Sequence, residues 1–240
     1  MRVVISQSML FPWVGLLEQM RLADMFVHYD DVQFSKGSFV NRVQIKTADG
    51  VRWMTLPTRN LHLGQRICEV EIAPTSQWVG QHLALLTASL AGAPHADDAI
   101  GLAESVYAAA HSHLGSLARA SLLALSDYFG LVDGKRFVDV GTLDIGGRSS
   151  QRVLDVVKRV GGRQYITGHG AARYMDHALF DRAGVEVRYM RYRQQAYPQL
   201  HGDFTPYVSG LDLVANCGRE GRRYICSDTV SWEKFLHESA

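Results

Sequence analysis

A chain of 240 residues with 47% hydrophobic and 20% charged side chains can bury a sizeable core and reads as an ordinary globular protein. Its formal charge of +1 supplies no global field to attract nucleic acid or an acidic membrane surface. Cys68, Cys217 and Cys226 stand at wide, unpatterned spacing, which is neither a disulfide framework nor a zinc signature and suits a reducing cytoplasm. No run approaches the roughly 18 apolar residues of a membrane span. No cationic leader precedes an apolar segment, so a cytoplasmic protein without membrane association is expected.

In chain order, Val3-Val4-Ile5 predicts a buried strand ending at Ser6-Gln7. A helix is expected from Pro12 to Ala23, with proline at its first position, and Met25 to Tyr29 is the second strand. That is a β-α-β opening, for which parallel pairing is the default. Phe39 to Lys46 alternates as a strand, Ala48-Asp49-Gly50 is a hairpin turn, and Val51 to Pro57 returns. Ile67 to Ile72 reads as a further strand. Helices are expected over Gln77 to Ala91 and over Asp97 to Phe129, the latter broken near Gly101 or Gly115. His111 and His113 then lie two apart on a helix, on different faces, and make poor joint metal ligands.

The last third resumes an α/β rhythm. Strands are expected at Phe137 to Val140, Tyr165 to Thr167 and Val185 to Tyr192, and helices at Ser149 to Val160, Ala171 to Ala183 and Val208 to Asn216. The reading is an α/β fold over residues 1–240: a Rossmann-like β-α-β N-terminal unit, a central helical part and an α/β C-terminal third. A subdivision would fall at 1–75, 76–135 and 136–240.

The most informative stretch is Asp30-Asp31-Val32-Gln33-Phe34-Ser35-Lys36, followed by Asn41-Arg42. An apolar strand that ends abruptly in acids and bases puts hydrogen-bonding groups at a strand's carboxyl end, where open α/β sheets bind ligands. Adjacent side chains of a strand point to opposite faces. One acid is therefore expected to line a pocket as a general base, and the other to be buried against Arg42 or Lys36. Gln7 would sit beside Asp30 and orient a hydroxyl or carbonyl. Trp13 would supply an apolar wall, and Lys36 and Arg42 suit phosphate or carboxylate. Gly168-His169-Gly170, between a strand and a helix, would let backbone N–H groups approach an anion. His82 is a second candidate base. Tyr197-Pro198-Gln199 is a rigid loop able to hold a ring or an amide over a pocket. Cys217 lacks a local base, which favours a buried helix-end residue over a nucleophile. No metal or cofactor is expected.

Five blocks in order resemble the WbqC-like family of bacterial proteins: Gln7 with Phe11-Pro12-Trp13-Val14-Gly15; Phe26-Val27 through Lys36 to Asn41-Arg42 and Ile45-Lys46-Thr47; Trp78 with His82; Tyr165 through Gly168, Gly170 and Tyr174 to Phe180 and Gly184; and Tyr197-Pro198-Gln199 through Phe204, Pro206 and Asp212 to Asn216-Cys217-Gly218. The resemblance adds Gln33, Asn41 and Tyr174 to the substrate-binding candidates. It implies a place in polysaccharide (O-antigen) or natural-product biosynthesis. The implied role is transfer of glycine or another acyl group to an amino sugar. Ser8-Met9-Leu10 stand where the family has proline and an aromatic. Gly37 and Phe39 replace an expected basic residue and tryptophan, and these departures touch the substrate more than the fold.

The reading favours an enzyme, an acyl or aminoacyl transferase acting on an amine of a small molecule or nucleotide-linked amino sugar. Its partner is an activated donor, with aminoacyl-tRNA among the candidates, and a homodimer is among the assemblies allowed. The rival readings are a non-catalytic sugar- or nucleotide-binding partner in a biosynthetic complex, and nucleotidyl transfer on the Rossmann-like core.

Overall fold

Short β-branched and aromatic runs from both ends of the chain meet in one sheet, in a computed structural model that describes residues 1–238. β1 (Arg2–Ser6) sits between β2 (Met25–His28) and β8 (Gln164–Thr167), parallel to both. β7 (Arg136–Asp139) extends the sheet parallel to β2, and β9 (Glu186–Arg191) runs parallel to β8. β10 (Asp228–Ser231) closes that edge antiparallel to β9, giving the order β10-β9-β8-β1-β2-β7. The fold is α/β. Strands from residues 1–75 and from residues 136–240 lie side by side in the one sheet, and residues 76–135 contribute helices to its face.

Two apolar layers cover the sheet because successive strand residues face opposite ways. Val4, Phe26, Ile166 and Met190 pack into one core with α1 (Val14–Leu22), α2 (Val79–Leu90), α3 (Ala96–Ala108), α4 (Leu114–Tyr128) and α7 (Gly210–Cys217). Val3, Ile5, Met25, Val27, Tyr165 and Val187 face the other way, against α5 (Ser149–Arg159) and α6 (His177–Arg182), with α8 (Trp232–Glu238) beside them. α1 joins β1 to β2 on the first face, whereas α6 joins β8 to β9 on the second. The connections thus diverge between β1 and β8, the kind of place where parallel sheets open a ligand crevice at their carboxyl ends.

The end of α5 is welded to β1 by two glycines. Gly161 takes φ +76°, which closes the helix, and the Gly162 N–H donates back to Val157 O at 2.8 Å. A Cβ on Gly162 would lie 2.5 Å from Val3 Cγ2 and 2.7 Å from Val157 Cγ1. Gly162→Ala is expected to destabilise by about 1–3 kcal/mol through overpacking. Gly170→Ala, with open space around it, should change stability by less than about 0.5 kcal/mol. Equal urea midpoints for the two variants would refute the close approach.

Several expectations are corrected. Pro12 stands before α1, which begins at Val14 with Trp13 as its cap. The first hairpin strand starts at Arg42 and not Phe39: β3 (Arg42–Thr47) pairs with β4 (Gly50–Thr55). Only Gly50 in that turn has positive φ (+104°). The strand expected over Ile67 to Ile72 is a short 3-10 turn, Ile67–Glu69, followed by β6 (Glu71–Ile72), which pairs with β5 (Thr58–Arg59). The long central helix breaks between Ala108 and Leu114, just before Gly115 and away from Gly101. His111 and His113 therefore lie in an extended segment docked on residues 70–72. The helix expected over Ala171 to Ala183 is interrupted at Asp176, whose carboxylate accepts from Leu179 N and caps α6. β10 and α8 have no counterpart in the sequence reading.

Candidate functional site

The carboxyl end of β2 splits the acid pair. Asp30 is fully buried. It accepts from Ser8 N and Ser8 Oγ, each at 2.8 Å, and from Arg119 Nη2 at 3.1 Å. Arg119, from α4, also donates to Asp139 Oδ2 at the end of β7, at 2.9 Å. One guanidinium thus ties β2 to β7. Ser8 Oγ lies 3.0 Å from His28 Nδ1. Since Ser8 Oγ donates to Asp30, it accepts from His28 Nδ1–H, and His28 Nε2 is left buried without a partner. Burial pushes the Asp30 carboxyl up from the ordinary range, opposed by Ser8 and Arg119. Ser8 and His28 are 0% and 2% exposed, so the inner part of this network locks strand ends away from solvent.

Asp31 turns the other way and lines a cleft of about 450 Å³ with Tyr29, Val32, Gln33, Gly147, Arg148, Ser149, Arg152, Val153 and Tyr174. It is ion-paired with Arg152, whose guanidinium carbon stands 4.9 Å from the centre of the Tyr29 ring and whose Nε donates to Ile145 O at 3.1 Å. Asp31 Oδ1 is covered and has no partner. Opposite stands the first turn of α5, whose initial N–H groups have no helical acceptor. The approach to it bends through Gly147 at φ +85° and Ser149 at φ +55°. A left-handed φ on a serine costs on the order of 1 kcal/mol, strain of the kind that gathers at binding loops. The cleft therefore offers one carboxylate, two guanidinium groups, two phenols and a helix start.

A profile of the WbqC-like protein family matches residues 7–224. The chain belongs to that family. It is also 31% identical to the uncharacterized protein Rv1507c of Mycobacterium tuberculosis over 227 residues, 93% of this chain and 97% of that protein. No solved structure matches it significantly.

Of the residues singled out in this WbqC-like chain, the cleft collects Asp31, Gln33 and Tyr174. The buried acid, Asp30, pairs with Arg119 instead of Arg42 or Lys36. Gln7 is half-buried just past β1, but Ser8 is the residue that binds Asp30. Lys36 is exposed and Arg42 stands at the start of β3; neither lines the cleft. Asn41 is buried, its Nδ2 3.4 Å from Leu56 O. His82 has both ring nitrogens engaged, with Tyr107 Oη at 3.0 Å and Thr55 O at 3.1 Å, which suits a core histidine and leaves no nitrogen for a substrate proton. Trp13 lies over Gly15, with Tyr192 and Tyr207 beside it.

The later candidates are also spread out. Gly168 packs near Tyr192 and Gln19, and His169 Nε2 is bound to Met190 O at 2.7 Å. Gly170 is exposed in a five-residue 3-10 turn. Tyr197 donates to the buried Asp212 at 2.9 Å, and Gln199 Oε1 accepts from buried Lys46 and from Thr205 N. They pin their own loop and do not overhang the cleft. Burial pushes the Cys217 thiol up, away from the thiolate a nucleophile requires.

Sequence reasoning passed over Arg119 and Arg152. A basic residue on an amphipathic helix ordinarily faces solvent. Only the run Gly146-Gly147-Arg148-Ser149-Ser150, a glycine-rich bend before a helix, carried a signal for the α5 side. A larger concavity, about 830 Å³, lies elsewhere, among Arg59, Glu71, Tyr107, His111 and His113. Its size is outweighed by the position of the smaller cleft at the sheet's carboxyl end. Among the described residues no three His, Cys, Asp or Glu side chains are grouped to hold a metal ion, and no helix is long and apolar enough to cross a membrane.

Proposed function

We propose that the cleft beside Asp31 is the acceptor site of a transferase moving an acyl or aminoacyl group onto an amine, in a small molecule or a nucleotide-linked amino sugar of a bacterial biosynthetic pathway. The observation that carries this reading is the isolation of Asp31 as the sole acid among the cleft residues, paired with Arg152 in a cleft that Tyr29 and Tyr174 also line. The amine nitrogen attacks the acyl carbon, and Asp31 takes its proton as the N–C bond forms. The bond from that carbon to the donor's oxygen or sulfur then breaks, and the leaving group departs with its electron pair. Arg148 and the first N–H groups of α5 are placed to receive negative charge developing on the acyl oxygen. This replaces the turn at Gly168 to Gly170 as the oxyanion donor and removes His82 as a base. The donor is an acyl-adenylate, a thioester or an aminoacyl-tRNA.

The test is amide formation by the purified protein with these donors and a set of amino-sugar acceptors, followed by mass spectrometry. Asp31→Asn keeps the shape and removes the base, so turnover should fall about 10²–10⁴-fold. Unchanged turnover in that variant would sink the role of Asp31. The Arg152 pair favours one rival, because it already engages the Asp31 carboxylate within the protein: a non-catalytic binding partner, which would bind the acceptor and form no product under any donor.

A further inference from the structure

The cleft uses only the first half of the 30–42 motif. The second half converges on Arg42, where β3 begins. Its guanidinium carbon lies 4.0 Å from the centre of the Trp53 ring. The turn at Gly37, at φ +78°, passes so near that a Cβ there would stand 3.4 Å from Arg42 Nη2. Phe39 packs on Trp53 with ring centres 5.5 Å apart, so the guanidinium lies over an indole that is itself packed, with the Gly37 turn close by. Yet among the described residues no oxygen accepts from it: Nε is buried without a partner, and neither terminal nitrogen makes a hydrogen bond or ion pair. Lys36, in the same loop, is exposed and equally without an acidic partner, while Trp53 keeps 40% of its surface exposed.

A stacked arginine with no protein acceptor is a rigid fork of donors, and that fork matches the oxygens of a phosphate. An exposed indole beside it is a platform on which a planar base can stack. We propose that the loop 36–42 and the β3–β4 hairpin form a second ligand site, in which Arg42 and Lys36 hold the phosphate of a nucleotide whose base lies on Trp53. The nucleotide can be part of a small nucleotide-linked molecule or the end of a single-stranded RNA. Both present the same chemistry to this surface. The site does not require that the Asp31 cleft catalyse anything.

The experiment is an NMR titration of the ¹⁵N-labelled full-length protein, following the Trp53 indole N–H and the Arg42 Nε–H. The probes are inorganic pyrophosphate, uridine diphosphate, adenosine diphosphate and a single-stranded pentaribonucleotide. Both resonances should move together and saturably with a nucleotide-containing probe, and Trp53→Ala should weaken that binding about tenfold or more. Saturation by the diphosphates identifies a small nucleotide-linked ligand, and saturation by the pentaribonucleotide alone identifies RNA. Asp31→Asn, which lowers transfer about 10²–10⁴-fold under the proposed function, should bind these nucleotide probes as the unaltered protein does. If only one of the two resonances moves, or neither does with any probe, the site does not exist. Both resonances belong to the unaltered protein, so a variant's failure to fold cannot mimic that result.

Discussion

Asp30→Ala should lower the stability of the fold by about 3–5 kcal/mol, the range found when one partner of a buried ion pair is removed. Asp30 is fully buried, and its carboxylate satisfies a backbone N–H, a hydroxyl and a guanidinium at once. Alanine would strand the Ser8 N–H and Oγ in a site that is itself closed to water. Arg119 would keep only Asp139. For a chain of this size each kcal/mol moves the midpoint by about 2–4 °C, so a drop of roughly 10 °C is expected in a thermal melt. Asp31→Asn should cost far less, since Asp31 is partly open to the cleft and the amide can still accept from Arg152. A melt for Asp30→Ala within about 2 °C of the unaltered protein would mean that the strand-end network carries no stability.

Acid should destabilise the protein well above the range in which carboxylates titrate. Burial, and next the Arg119 charge, lower His28 from 6.5 to about 4. The folded state thus holds it neutral. Above pH 6.5 it is neutral in both states and its contribution is fully present. Between pH 6.5 and about 4 the unfolded chain binds a proton that the folded chain refuses, so stability falls as pH falls. The slope is about 1.4 kcal/mol per pH unit, on the order of 3 kcal/mol over the window. His82, also lowered by burial, acts in the same direction. Asp30 has the opposite sign: its raised value favours the folded state at low pH, and that contribution is lost as pH rises, so it does not add to acid loss. Urea midpoints at pH 7, 5.5 and 4 measure the slope. His28→Gln should flatten it, and an unchanged slope in that variant would exclude His28 as the titrating group.

The two acids behave differently although they are neighbours in sequence, and the difference marks the reach of local pattern. Asp30 and Asp31 lie just past the end of β2 at His28, and their side chains still diverge, as neighbours in an extended segment do. The partners were not local. Arg119 and Arg152 come from helices 89 and 121 residues further on, and on a helix each reads as a solvated face. Arg42 and Lys36, the near bases, were the natural expectation and are not the partners. The histidine pair shows the same limit. His111 and His113 read as helical because alanine surrounds them, but docking of their segment on residues 70–72 makes it extended, and they then line one cavity together.

Amino-acid order was sufficient for the α/β class, the β-α-β opening, most strands of the main sheet and the family. These follow from apolar periodicity and turn residues, which act over a few residues, and from blocks of characteristic motif. Other features arise only on packing: β7 joining β2, α5 presenting its first turn to Asp31, and the 30–42 motif dividing between a cleft and a stacked arginine. Those outcomes depend on which distant side chain fills a buried charge's shell. No local propensity encodes that, because the energy is realised only when both elements are already packed on the same sheet.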